Sequence, residues 1–298
     1  MPLDNLDILV LLREVSDPRP PARTTARGGG VSERGLRRVP NPSDLSALEE
    51  ALQLKEKRGA RVTVLAVGPA SVDDALRGAV AMGADRVIRC WDHGLEGGDA
   101  VADARVLARA VAILKPHLVV SGNRLIDRGD DPAPALAAAQ SGIPCVGSVL
   151  AFTPERDGVK VLRKGDRGSR QTVETGYPCL LLCEEERTPR YPELAAVLDA
   201  LSHKIERWGM AELGIPFWEV GASGAALPAA RVAVPRLDPV RLVTPDPQLP
   251  AYERILSLLS GGIKAREGKL AELSADATAQ AIWDLLSREG VVATGAEV

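Results

Sequence analysis

Hydrophobic and polar positions alternate in blocks along the first 120 residues. Leu6 to Leu12 is a short apolar run bounded by charge, the pattern of a strand buried on both faces. After Asn41-Pro42-Ser43-Asp44, apolar residues recur at Ala47, Leu48, Ala51, Leu52 and Leu54, which is helical spacing. Ser43 or Asp44 is the expected cap, Glu49 and Glu50 suit the early turns, and Gly59 is the expected stop. A second strand is predicted over 61–67, a helix from Ser71 to Met82 closed by Gly83, and a third strand over 85–90. A helix over 99–114 and a fourth strand over 118–121, ended by Gly122, complete the series.

This order predicts an α/β fold, a Rossmann-like doubly wound, mostly parallel sheet. Ligands in such sheets bind outside the carboxyl ends of the strands. The loops after Leu12, Val67 and Ser121 are therefore the expected site. Beyond Pro144 the texture changes. Val146–Thr153, Val159–Arg163, Gln171–Val173 and Cys179–Cys183 are short runs with turn signals at Asp157-Gly158 and Arg167-Gly168, which predicts an added antiparallel meander. Residues 192–203 return to helical spacing. From 205 to 250 periodicity is weak but the segment is apolar, so it is read as an extended arm lying on a partner, followed by helices over 251–259 and 274–288. The domains expected are 1–204, containing a long loop 16–40, and a C-terminal arm with helices, 205–298.

Composition narrows the function. The net charge is −3 and aromatic residues make up 3% of the chain, so Leu, Val, Ile and Ala must fill the core and nucleic acid is not the expected partner. No apolar stretch is long enough for a bilayer span, and the start lacks a signal-peptide pattern, so a cytoplasmic location is expected. The four cysteines, Cys90, Cys145, Cys179 and Cys183, form no CxxC and are expected to stay reduced. Five arginines (Arg23, Arg27, Arg34, Arg37, Arg38) stand in the long loop, which is either solvated or approaches a phosphate or a partner chain. His93, His117 and His203 have no nucleophile motif beside them, and Gly28-Gly29-Gly30 is too weak for a phosphate cradle. Glu184, Glu185 and Glu186 read as a solvated strand end. No catalytic constellation and no metal site is expected.

Five segments, taken in order, resemble the electron-transfer flavoprotein β-subunit family. They are Ile8 through Asp17; Asn41-Pro42-Ser43-Asp44 with its helix; Ala75 to Arg86, with Met82-Gly83-Ala84-Asp85; Val161 through Asp166 and Gln171-Thr172-Val173 to Pro178–Leu181; and Thr188 to Leu194. The fourth departs from the family pattern at Arg167 and Leu182. The resemblance covers roughly 6–205 and the tail loosely. It implies an adenine-nucleotide α-hydrolase-like fold and a heterodimer in which FAD sits mainly on the α subunit. It also implies electron relay from an acyl-CoA dehydrogenase-type donor toward a quinone reductase. Many β subunits hold AMP, and bifurcating ones hold a second FAD there.

The resemblance puts cofactor-facing positions at Leu11, Asp17, Asn41, Val67, Gly122, Arg124, Leu125, Asp127, Arg128 and Asp131. The loop after the fourth strand keeps Gly122, Ile126 and Asp127, but Pro132-Ala133 replaces the usual Gln-Thr pair. Pro has no N–H and Ala no hydroxyl, so donors to a phosphate are lost, and Asp130 and Asp131 would repel one. Arg124 and Arg128 are candidates to compensate, or else they pair with those aspartates. Partner docking is implied at Arg190, Tyr191, Glu193 and Leu194, with Leu194 either an anchor in a dehydrogenase pocket or a residue packed in its own helix. Two other readings stand beside this one: a nucleotide-free docking subunit, and an adenine-nucleotide-dependent enzyme on the same sheet, which would need a phosphate loop near Leu12 or Gly68.

Overall fold

Strand β1 (Asp7–Leu11) lies inside a mostly parallel sheet, and its alternate side chains serve two different cores. Ile8 and Val10 pack with Leu48 and Leu52 of helix α1 (Pro42–Arg58) and Leu76 of helix α2 (Asp73–Met82). Leu9 and Leu11 face the other way, toward Leu107 of helix α3 (Ala100–Leu114) and Ala137 of helix α4 (Ala133–Ser141). Burial on both faces is why the run shows no polar alternation. The computed structural model describes residues 6–19, 23–24, 31–32, 37–227, 245–259 and 273–288. Arg27, Arg34 and Gly28-Gly29-Gly30 lie outside them.

The remaining strands are β2 (Arg61–Val67), β3 (Arg86–Cys90), β4 (Leu118–Gly122), β5 (Cys145–Pro154), β6 (Gly158–Lys164), β7 (Arg170–Gly176), β8 (Cys179–Cys183) and β9 (Glu206–Trp208). They order as β7-β6-β5-β8-β4-β1-β2-β3-β9. Ile8 of β1 stands opposite Val62 of β2 on one side and Leu118 of β4 on the other, both parallel. The chain thus winds from β1 to β3 in one direction and returns to the far side of β1 with β4. The crevice at that reversal is where open α/β sheets bind ligands.

The meander has three strands, β5, β6 and β7, paired antiparallel. Cys179–Cys183 is not its fourth member. It is β8, parallel to β4 and to β5, and every one of its residues is buried. An apolar pentapeptide with no polar alternation fits the interior of a sheet better than a solvated ribbon. Glu206–Trp208, in the stretch read from sequence as arm, pairs in parallel with β3. The long loop starts and ends in an antiparallel ribbon, Glu14–Ser16 with Arg38–Pro40.

Helix boundaries shift for local reasons. Asn41 occupies the cap position of α1 but makes no capping bond, and Ser43 and Asp44 already lie within the helix. Gly59 ends α1 at φ 68°, as expected. A single 3₁₀ turn, Ala70–Val72, precedes α2, so the helix begins at Asp73 and not at Ser71. Helix α5 (Leu194–Ser202) follows the segment resembling the docking loop. All four cysteines are free, with Cys90, Cys179 and Cys183 buried.

The chain divides into two compact units, Met1–Val234 and Pro235–Val298. The described part of the second contains two helices, α6 (Ala251–Leu259) and α7 (Ala275–Arg288), with Ile255, Leu259, Ile282 and Trp283 about half exposed or more. No helix among the described residues is long and apolar enough to cross a membrane.

Candidate functional site

The residue after β1 and Leu12 is Arg13, and its side chain spans the reversal point of the sheet. Its backbone N–H and its Nε each donate to Asp44 Oδ2 at 2.9 Å, and Nη2 donates to the carbonyl of Gly122 at 2.9 Å. Nη2 also pairs with Asp44 Oδ1 and Nη1 with Asp131 Oδ2. Asp44 is wholly buried in the first turn of α1, and its Oδ1 accepts the Gly122 N–H at 2.6 Å. One guanidinium therefore ties together the ends of β1 and β4, the start of α1 and the loop before α4.

Gly122 has no room for a side chain, because an added Cβ would stand 2.6 Å from both Asp44 Oδ1 and Ser43 Cβ. The loop beyond it is fastened by Asn41, which is fully buried. Asn41 Nδ2 donates to the carbonyl of Arg124 at 2.9 Å, and Asn41 Oδ1 accepts from Ile126 N–H at 3.2 Å. Asn41 is thus a fastening residue of the loop. Asp127 Oδ2 accepts from Ser16 N–H at 3.1 Å, whereas its Oδ1 is buried without a partner among the described residues.

Arg13, Asp127 and Asp131 line a cleft of 210 Å³ that also takes in Leu11, Val67, Gly98, Asp99, Asp103 and Leu125, whereas Asn41, Asp44 and Gly122 lie behind its wall and are not part of the lining. Two helix N-termini reach it, and each is met by a carboxylate of the chain itself. Asp99 Oδ1 accepts from Val101 and Ala102 N–H at 3.0 Å, and its Oδ2 accepts from Ala226 N–H at 2.7 Å and Leu227 N–H at 2.5 Å. At α4, Asp131 Oδ1 accepts from Ala133 N–H at 3.1 Å. Carboxylates outnumber guanidiniums in the lining by five to three. Burial pushes the Asp103 carboxyl up to about 6, the Asp99 charge adds to the rise, and Arg128 opposes it.

Of the positions that the resemblance put toward a cofactor, Leu11, Val67, Leu125, Asp127, Arg128 and Asp131 share the lining of this cleft. Arg124 does not. Its side chain is 62% exposed and its Nη2 lies 3.6 Å from Glu184 Oε2, so it is turned away from the phosphate role. Its partner is neither Asp130 nor Asp131. Glu184 also accepts from Asn123 Nδ2 at 2.8 Å and is 13% exposed, so it is a paired strand-end residue and not a solvated one. Asp17 lies apart from the cleft, and hydrogen bonding from Arg19 holds its carboxyl down to about 2. Arg13, Asp99 and Asp103 were not singled out from sequence, and Asp44 only as a helix cap. The legible signal for Arg13 was its place directly after a strand at the reversal point.

A larger hollow of 960 Å³ lies at the opposite, amino end of the strands, lined by Lys115, His117, Ile143 and Tyr177 among others. His117 serves β1 there, its Nδ1 accepting from Asp7 N–H at 3.1 Å. That end is remote from the reversal point.

The docking residues split into two kinds. Tyr191 and Leu194 are 96% and 75% exposed, so Leu194 is not packed into its own helix, and Glu193 is exposed beside them. Arg190 is turned inward, onto Glu49 and Glu56 of α1.

The chain matches the family model of the electron transfer flavoprotein domain over residues 28–213. It is 31% identical over 221 residues to the electron transfer flavoprotein subunit beta of Clostridium acetobutylicum, covering 74% of this chain and 85% of that one. The chain belongs to the electron transfer flavoprotein β-subunit family. It is also 28% identical over 263 residues to the β subunit of Mycobacterium tuberculosis, covering 86% and 94%. To Protein FixA of Rhizobium meliloti it is 33% identical over 195 residues, covering 62% and 66%. Electron transfer flavoproteins are electron carriers that work with a flavin, and a β subunit implies an α partner.

Proposed function

We propose that this chain pairs with an α subunit that holds most of the FAD, and that the pair relays electrons from an acyl-CoA dehydrogenase-type donor toward a quinone reductase. FAD supplies the redox chemistry when bound, and this chain supplies docking and part of the flavin's surroundings. The observation that carries the reading is the presentation of Tyr191 and Leu194. Two large apolar side chains stand in solvent on a segment whose first residue, Arg190, is fixed to α1. An exposed apolar anchor on a braced turn suits a small, transient electron-transfer interface.

The half-exposed apolar faces of α6 and α7 support packing of the C-terminal residues on the α subunit. The Asp17 turn is the position assigned to the flavin's neighbourhood. A docking subunit without any nucleotide of its own is the second reading, favoured by the two carboxylates that occupy the helix N-termini at the cleft.

Co-expression with the candidate α chain, purification through this chain and a visible spectrum test the pairing. About one FAD per pair, bleached by substrate plus a catalytic amount of acyl-CoA dehydrogenase, is the expected result. A chain that recruits no flavin-bearing partner sinks the proposal.

A further inference from the structure

We infer that the nucleotide pocket of this subunit is filled from within, the Asp131 carboxylate on Arg13 standing where the family's nucleotide phosphate would bind, so that the chain carries neither AMP nor a second flavin. This rests on family membership and on the cleft, not on the electron relay.

The phosphate position in such a pocket is made by backbone N–H groups at a helix N-terminus and by basic side chains. At α4 the first of those donors is missing, because residue 132 is proline. The Ala133 N–H is taken by Asp131 Oδ1. At α3 the N–H groups of Val101 and Ala102 are taken by Asp99, which also receives two more from Ala226 and Leu227. Each helix N-terminus already faces a carboxylate of the chain, which opposes an incoming anion.

The basic side chains are committed as well. Arg13 is shared by Asp44 and Asp131, and Arg38 Nε lies 3.0 Å from Glu14 Oε2. Arg124 faces Glu184. Among the described residues only Arg128, exposed at the rim, lines the cleft without an ion pair. One guanidinium at the rim does not neutralise a phosphate dianion amid Asp99, Asp103, Asp127 and Asp131. The space agrees: 210 Å³ is below the roughly 300 Å³ at which small-molecule pockets begin. Displacing Asp131 would make room, but it would also remove the pair that joins β1 to α4.

The internal pair has a structural consequence. The Arg13 fork connects the end of β1, the end of β4, the start of α1 and the loop before α4. Its partners Asp44 and Asp131 have side chains 0% and 8% exposed, so the bonds are shielded from water.

The test uses the full chain, alone and with its α partner. The protein is purified natively, heat-denatured, and the supernatant chromatographed for AMP, ADP and FAD. The chain alone should release no stoichiometric nucleotide, and the pair should release FAD only. Added AMP or inorganic phosphate should leave the Tm of the wild type unchanged. Asp131→Asn removes one negative charge and the ion pair to Arg13 Nη1 without adding space, so its Tm should be lower than wild type and should rise with added inorganic phosphate, as it must for any ligand that binds the native state. About one AMP per wild-type chain, two FAD per pair, or a wild-type Tm that climbs with AMP overturns the inference. A D131N protein that folds but ignores phosphate also overturns the claim that Asp131 holds the phosphate's place. If D131N does not fold, the wild-type extraction and titration decide the matter. A pair lacking FAD altogether speaks against the proposed relay and leaves the AMP result readable.

Discussion

The guanidinium of Arg190 forks onto the carboxylate of Glu49, with Nε 2.8 Å from Oε2 and Nη2 2.9 Å from Oε1. The Arg190 N–H adds a third bond to the same Oε2 at 3.2 Å. Glu49 is buried on α1, and burial alone would raise its carboxyl. The Arg190 bonds outweigh that and hold it below its ordinary value. Tyr191 follows directly, in solvent. A buried fork next to an exposed aromatic is how a loop is aimed without being rigid along its whole length.

Replacing Arg190 with Ala leaves Glu49 buried without its cationic partner, with only the Gln53 Nε2 bond at 3.2 Å remaining. Loss of about 1–3 kcal/mol is expected in urea unfolding. Reduction of the flavin by a donor dehydrogenase should slow, while chemical reduction by dithionite should not. Arg190→Lys keeps the charge but not the fork, so it should recover only part of either property.

Leu194→Ala removes a side chain that packs on little within the chain. Its effect on stability should stay within about 0.5 kcal/mol. If Leu194 is the anchor, donor-coupled reduction should weaken by about tenfold or more, as hot-spot residues do. Unchanged kinetics would return Leu194 to the ordinary surface.

Asp103 gives a pH signature. Its folded-state value of about 6 lies above the roughly 4 of an unfolded aspartate. Between those values the native state binds more protons than the unfolded state, so this residue's contribution to stability falls as pH rises through the window and stays low above it. Asp103→Asn should remove that slope. It should stabilise the protein at pH 8 by on the order of 2 kcal/mol relative to its effect at pH 4, read from denaturant curves at both pH values.

Gly122→Ala places a methyl 2.6 Å from Asp44 Oδ1 and Ser43 Cβ. Neither is the free end of a flexible chain, since Asp44 is held by Arg13 and by the Gly122 N–H itself. A loss of about 1–3 kcal/mol is expected, with the Tm of the purified chain as the readout. Gly129→Ala has open space but a φ of 88°, so its smaller cost reports backbone strain alone.

The parallel half of the fold was legible because Leu6–Leu12, Arg61–Val67 and Leu118–Ser121 are long enough apolar runs, and the residues between them have helical spacing. Cys179–Cys183 was misplaced because a continuous apolar pentapeptide does not say which strands flank it. Its parallel neighbours come from 118–122 and 145–149, a fact about topology and not about local pattern. The short helix over 133–141 went unremarked because Ala dominates it, leaving little amphipathic contrast. In the site, the family resemblance gave Asp127, Arg128 and Asp131, but not that Asp131 pairs with Arg13. Whether a guanidinium meets a ligand or a neighbour depends on contacts more than 100 residues away, as between Arg13 and Asp131.

The two outer strands of the sheet carry a further consequence. One edge ends in β9, three residues long, with Glu206 locked by Arg86 at 2.6 and 2.7 Å. The other ends in β7, where Arg170, Gln171, Thr172 and Glu174 are exposed. An open strand edge is a template for end-to-end stacking of like molecules, and brevity at one edge with charge at the other are the means by which soluble sheets suppress it. Both edges of this sheet are dressed in one of those ways, which disfavours pairing of one copy's sheet with another's.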